Sequence, residues 1–358
     1  MNPIERAIRR VDAAQQRHQG SAFVFGVIKK YGDDNGGVLA ASLAHSGFVC
    51  LFPLLLVLVT ILGLVASGDP ALRHEALNAV ASQVPLIGHQ LAGNVHQLRR
   101  SSLIGLVAGL LALTWGTTRL AQAGLFTMAQ VWNLPGPARP GYLQRLGRAA
   151  LFLAALGLGV IVTTLLTSLS AYGHHAIAIV VLLEALAAAA NIGMYFIGFR
   201  VLTPKGVPAR KLVPGAAAAG VAWTVLQALG THLVHHLLRS ASVYGVFATV
   251  LGLLAWIYLG VEITVYAAET NVVLARRLWP RSIVQPPLTQ ADRAVLAAQA
   301  LQNQRRDDQH VVVSYDDRPA SAEASPQAPR APDEIAPPAP SRAGDPLANR
   351  AGTHHEHA

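Results

Sequence analysis

Of 358 residues only 13% are charged while 52% are apolar, about half the charge that a water-soluble surface carries, which excludes an ordinary soluble domain. The net charge of +9 would suit a nucleic-acid binder, but the basic residues flank long charge-free stretches, where they meet anionic headgroups and set topology instead. The lone cysteine, Cys50, lies inside an apolar run and excludes an intrachain disulfide.

Residues 1–36 are rich in charge and hold no early apolar run, so a cleavable signal peptide is not expected at this end. A membrane-spanning helix needs about 20 apolar residues. Six segments meet that need: 38–66, 103–131, 149–171, 176–202, 212–238 and 246–275. They are too long and too evenly apolar for barrel strands, and in hydrocarbon only a helix pairs every backbone group within one segment. The expected fold is therefore all-α, a polytopic six-transmembrane-helix bundle over 37–281.

In chain order, the first span carries His45 and, near its middle, Pro53, which removes a backbone hydrogen bond and predicts a kink. Residues 67–102 form the one long connector; loosely helical spacing of Leu72, Leu77, Val80, Val84, Leu91 and Val95 predicts two short amphipathic helices. The second span holds Arg119 and a Gly105/Gly109 pair suited to close helix contact. The third carries Thr163, Thr164, Thr167 and Ser168. The fourth carries Glu184 and Asn191, and the fifth has His232, His235 and His236 on one face. The sixth contains Glu262, Glu269 and Asn271. Beyond Pro286-Pro287 a short helix is expected over 290–306. Then comes a stretch rich in Pro, Ala, Ser and charge; 282–358 reads as a tail, disordered from about 310.

Orientation follows from the basic residues. With the N-terminus inside, the inner side holds 12 Lys and Arg within ten residues of a span end, including Lys29, Lys30, Arg276 and Arg281, and the outer side holds 4. Both termini are thus expected in the cytoplasm.

Two passages carry a family resemblance: GVLAASLAHSGFVCLFPLLLVLVTILG at 37–63 and SVYGVFATVLGLLAWIYLGVEITVYAAETNVVLA at 242–275. Together with the six-span layout they resemble the YihY/BrkB family of bacterial inner-membrane proteins over about 20–280. Ala248 and Ala268 stand where that family usually has glycine, and Thr270 where it usually has leucine. The resemblance implies a multi-pass envelope protein. A ribonuclease label once attached to the family finds no support in these residues, because a metal-dependent nuclease needs clustered carboxylates or histidines on a water-exposed scaffold.

Ionisable groups inside spans are costly and therefore mark candidate sites. At 1.5 Å per residue, His45, Arg119 and Glu262 all fall in the inner third of the hydrocarbon. This predicts an Arg119–Glu262 pair with His45 nearby, or else independent snorkelling. Glu269 and Asn271 are expected to brace the inner end of the sixth span, as the matching positions of the family motif imply. Glu184, near the midplane, reads either as a proton-coupling carboxyl or as a neutral acid bonded to the hydroxyls of the third span. The outer histidines, His74, His89, His96, His174, His175, His232, His235 and His236, allow a metal or pH-sensing site, but without a carboxylate or cysteine to set its geometry none is assigned. No cofactor, metal or catalytic residue is expected, and a membrane-embedded hydrolase lacks a nucleophile–base set.

Two functions follow. One is movement or organisation of a lipid, small solute or ion across the inner membrane; the other is a non-transporting scaffold or interaction protein. The partners expected are the lipid bilayer, an unspecified solute or lipid and a second copy of the chain, without nucleic acid.

Overall fold

The computed structural model describes residues 3–65, 102–136, 177–203, 206–237 and 245–315, with parts of 141–162. Among them every regular element is helical and no strand occurs. In chain order these are α1 (Pro3–Arg17), α2 (Gln19–Asp33), α3 (Gly36–Val65), α4 (Ser102–Val131), α5 (Ile177–Leu202), α6 (Val213–Leu237), α7 (Gly245–Arg276) and α8 (Gln290–Gln302). A shorter apolar helix covers Leu146–Gly159, overlapping the first part of the third expected span. The stretches Gly36–Val57, Val181–Leu202 and Val250–Arg276 are long and apolar enough to cross a membrane. The connector residues 67–101 and residues beyond 315 lie outside the described residues.

Helix α7 is the hub and packs against α2, α3, α4 and α6. Its 32 residues extend about 48 Å, longer than the roughly 30 Å of bilayer hydrocarbon, so at least one end stands among headgroups or in water. Its buried side, Val265, Ala267, Ala268, Val272 and Val273, meets Ala216 and Ala219 of α6 and Ala40 of α3 in one apolar core. Small residues let these backbones approach, as membrane helices require. On α4, Gly116 does the same against α3, where an added Cβ would lie 3.3 Å from the Cα of Cys50. Pro53 falls inside α3, which runs on through it.

Three helices end together, and all three end on a left-handed residue. Asn35 (φ 54°), Asn133 (φ 47°) and Arg277 (φ 53°) close α2, α4 and α7. The amides of Leu134 and Leu278 reach back to the carbonyls of Ala129 and Val273, at 2.9 and 3.1 Å, the six-to-one closure that satisfies helix-end carbonyls.

Residues 282–302, expected to open the tail, instead pack onto the N-terminal helices. The reason lies in buried charge. Arg281, 1% exposed, donates to Asp292 Oδ1 (2.6 Å) and to Asp33 Oδ2 (2.7 Å). Lys29 also donates to Asp292, at 3.0 Å. Thr289 and Asp292 form a reciprocal capping box at the start of α8. Asp12 of α1 accepts from the amides of Ile283 and Val284. We call this assembly of α1, α2, 277–302 and the ends of α4 and α7 the clasp end.

Candidate functional site

The clasp end contains a second, deeper charge cluster. Lys30 is completely buried, with three acceptors around its ammonium. One is the Asp34 carboxylate, one turn further along the chain; another is the Val131 carbonyl at 3.2 Å, and the third is Glu269 Oε2 at 3.5 Å. Asp34 belongs to the turn that joins α2 to α3, so α2 presents the ammonium and the turn folds the carboxylate back over it. Burial of an ammonium costs several kcal/mol; ligation by two carboxyls and a carbonyl offsets that cost. Asp34 Oδ1 also accepts from Asn133 Nδ2 and Gln299 Nε2, both at 3.1 Å, which ties α4 and α8 to the same carboxylate.

Asp34 opens onto a cleft of about 490 Å³ whose walls include Asp33, Asn35, Gln130, Gln302 and Arg305. Further along α7, Glu262 Oε1 accepts from the Tyr31 hydroxyl at 3.3 Å. The Tyr31 ring stacks on Tyr266, centroids 3.9 Å apart and planes within 6°. Burial first, and then the Glu262 charge, push the Tyr31 phenol above its ordinary range. Asn271, 1% exposed, accepts from the Gly215 amide at 2.7 Å and locks α6 to α7. In the first charge cluster, burial alone would raise Asp292. Donation from Arg281, Lys29, the Ser282 amide and Thr289 holds it well below the usual carboxylate range.

Of the residues singled out by sequence, Glu262, Glu269 and Asn271 lie along α7 where it meets its neighbours, the two glutamates facing α2. His45 and Arg119 do not join them. Among the described residues no ion pair links Arg119 with Glu262. Arg119 lies on an exposed stripe of α4 with Leu111, Trp115 and Phe126, and its guanidinium sits 4.8 Å over the Trp115 ring. His45 is on an exposed face of α3. Depth along a helix can be counted from sequence, but depth leaves the facing direction open, and the buried stripe of α4 runs through Thr117, Ala121, Leu125 and Met128 instead. Asn191 is buried and donates to Thr224 of α6. The side chains of Glu184, His232, His235 and His236, and the remaining outer histidines, lie outside the described residues.

Sequence reasoning passed over Lys30, Asp34, Arg281 and Asp292. Lys30 and Arg281 look like loop cations that set topology. Only the Thr289-to-Asp292 spacing, a helix-start signature, signals that 282–302 is built.

Long apolar helices that leave large hydrophobic side chains such as Leu111, Val181, Leu182 and Leu251 exposed, with ionisable groups gathered at one end, define an α-helical membrane protein in contact with the lipid bilayer. The chain belongs to the family described as virulence factor BrkB, whose model matches residues 27–289, a span that takes in Lys30, Asp34, Glu262 and Glu269. It is 24% identical to a UPF0761 membrane protein of Alcanivorax borkumensis over 69% of this chain and 59% of that one. It is 23% identical to the inner membrane protein YhjD of Escherichia coli over 71% and 81% of the two chains. A UPF0761 membrane protein of Pseudomonas paraeruginosa is 25% identical over 76% and 67%. The match thus spans about three-fifths of the Alcanivorax relative's length. No solved structure matches.

Proposed function

We propose that this protein spans a bacterial inner membrane six times, with both termini cytoplasmic, and moves a small solute, ion or lipid without covalent chemistry. The clasp end is then the cytoplasmic mouth. The observation that carries this reading is the run of ionisable side chains from Asp34 in the cleft, through buried Lys30, to Glu269, with the Tyr31–Glu262 pair beside it on α7. Charges are expensive in or near hydrocarbon, and their gathering along one side of one helix suits a polar path. The excess of Lys and Arg in the inner segments supports the orientation, and the relative named as an inner membrane protein supports the location.

A non-transporting scaffold is the second reading. It is favoured by the apolar fill beside α7, where Ala216, Ala219, Val265 and Val272 are wholly buried.

Reconstitution into liposomes separates the two. Uptake of amino acids, organic acids, monovalent cations and a labelled phospholipid is compared for wild type, Glu262→Gln and Glu269→Gln. Uptake of one class that falls in both variants is the expected result. A wild type that moves no member of the panel leaves the scaffold reading standing and removes the other.

A further inference from the structure

The charges around Lys30 do not balance. Its ammonium faces two carboxyl groups, Asp34 and Glu269, and the three side chains are 0%, 3% and 0% exposed. Among the described residues no second cation makes an ion-pair contact with either carboxyl, and the Arg276 charge acts on Asp34 only from outside the pocket. Asp33 is taken up by Arg281, and Arg276 stands at the exposed rim, donating to the Trp132 carbonyl at 2.7 Å. The side chains that approach from α4 and α8, Asn133 and Gln299, are neutral amides. Two ionised carboxylates against one ammonium would leave a net negative charge in a place closed to water, a state that burial strongly disfavours.

A separate observation points to what resolves this. Glu269 Oε1 is buried without a hydrogen-bond partner, while the Asp34 carboxylate and Glu269 Oε2 converge on the same ammonium. Two carboxylates offer each other only acceptors. A proton held by the pair supplies a donor where there is none and cancels the surplus charge in one step.

We infer that Asp34 and Glu269 share one proton beside a charged Lys30, so that the cluster is a one-proton binding site. Asp34 lines the cleft and is the exchange point. Uptake turns one carboxylate into a carboxylic acid, release returns the proton to cleft water, and no other bond changes. The use of this proton to drive solute movement rests on the transport reading above; its binding does not.

Infrared spectroscopy of the purified full-length protein near neutral pH tests the site through the carbonyl stretch of a buried protonated carboxyl, which shifts on deuterium exchange. Wild type is expected to show a component that is lost in both Glu269→Gln and Asp34→Asn, because removal of either charge lets Lys30 pair with one ionised carboxylate. Absence of that component in wild type overturns the inference, as does its survival in either variant. Thermal unfolding against pH gives a second readout. A proton held only by the folded state makes wild-type stability fall as pH rises, and Glu269→Gln, a neutral isostere, should flatten that slope; equal slopes overturn the inference. Flux assays separate the two claims. An infrared component without any flux in liposomes leaves the proton site and removes transport, and flux without the component does the reverse.

Discussion

Asp292→Ala tests the clasp directly. The carboxylate is fully buried and receives Arg281 Nε, Lys29 Nζ, the Ser282 and Thr289 amides and the Thr289 hydroxyl. Its removal leaves Arg281, 1% exposed, with Asp33 as its remaining acidic partner. Loss of one member of a buried charge pair costs about 3–5 kcal/mol, because the other is left buried and uncompensated. Arg281 regains water when the clasp opens, so the cost falls on local opening rather than on the whole bundle. Opening of 277–302 should therefore rise between about a hundredfold and a few thousandfold, read as faster amide hydrogen exchange in α8 with little change in α3 or α7. In Arg281→Met/Asp292→Leu no orphan charge remains, and most of the loss should be recovered, short of the roughly 1 kcal/mol that the capping box contributes. Wild-type exchange in Asp292→Ala, or a double variant as open as the single one, refutes the reasoning.

The same carboxylate predicts an acid response. Its folded pKa is depressed below the unfolded value of about 3.9, so the unfolded state binds more protons in that range and stability rises with pH. The contribution is complete above about pH 4 and disappears as pH falls through the folded value; α8 exchange that stays constant on such acidification contradicts this. Lys30→Met strips the ammonium from two buried carboxyls and should lower stability by about 3–5 kcal/mol, seen as an earlier melt in detergent, whereas Lys29→Met, at a site 18% exposed, should change the melt much less. Gly215→Ala would drive a Cβ into the Ala267 carbonyl and the Asn271 amide, costing about 1–3 kcal/mol. Asn271→Ala leaves the buried Gly215 amide without its acceptor, at about the same cost. A melt unchanged in both would show that α6 and α7 are not held together there.

Sequence alone settled the class of this protein and the helices that carry it. Hydrocarbon demands about 20 apolar residues per span, so length and hydropathy suffice to place α3, α4, α5, α6 and α7 to within a few residues. The motif at 242–275 also directs attention to Glu262, Glu269 and Asn271, since charge within an apolar run stands out wherever it is. Tertiary structure decided which charges meet. Counting residues assigns Arg119 and Glu262 one depth, yet Leu120 lies level with Ile257 across Gly47 and the two charges face different ways, because the register and side of a helix are set by small-residue contacts such as Gly116 against Cys50 and Gly215 against Asn271. Lys30 meets Glu269 across 239 residues of sequence, and Arg281 meets Asp33 across 248. No local pattern encodes such pairings, because a lysine beside a span reads as a topology signal until the fold closes water away from it.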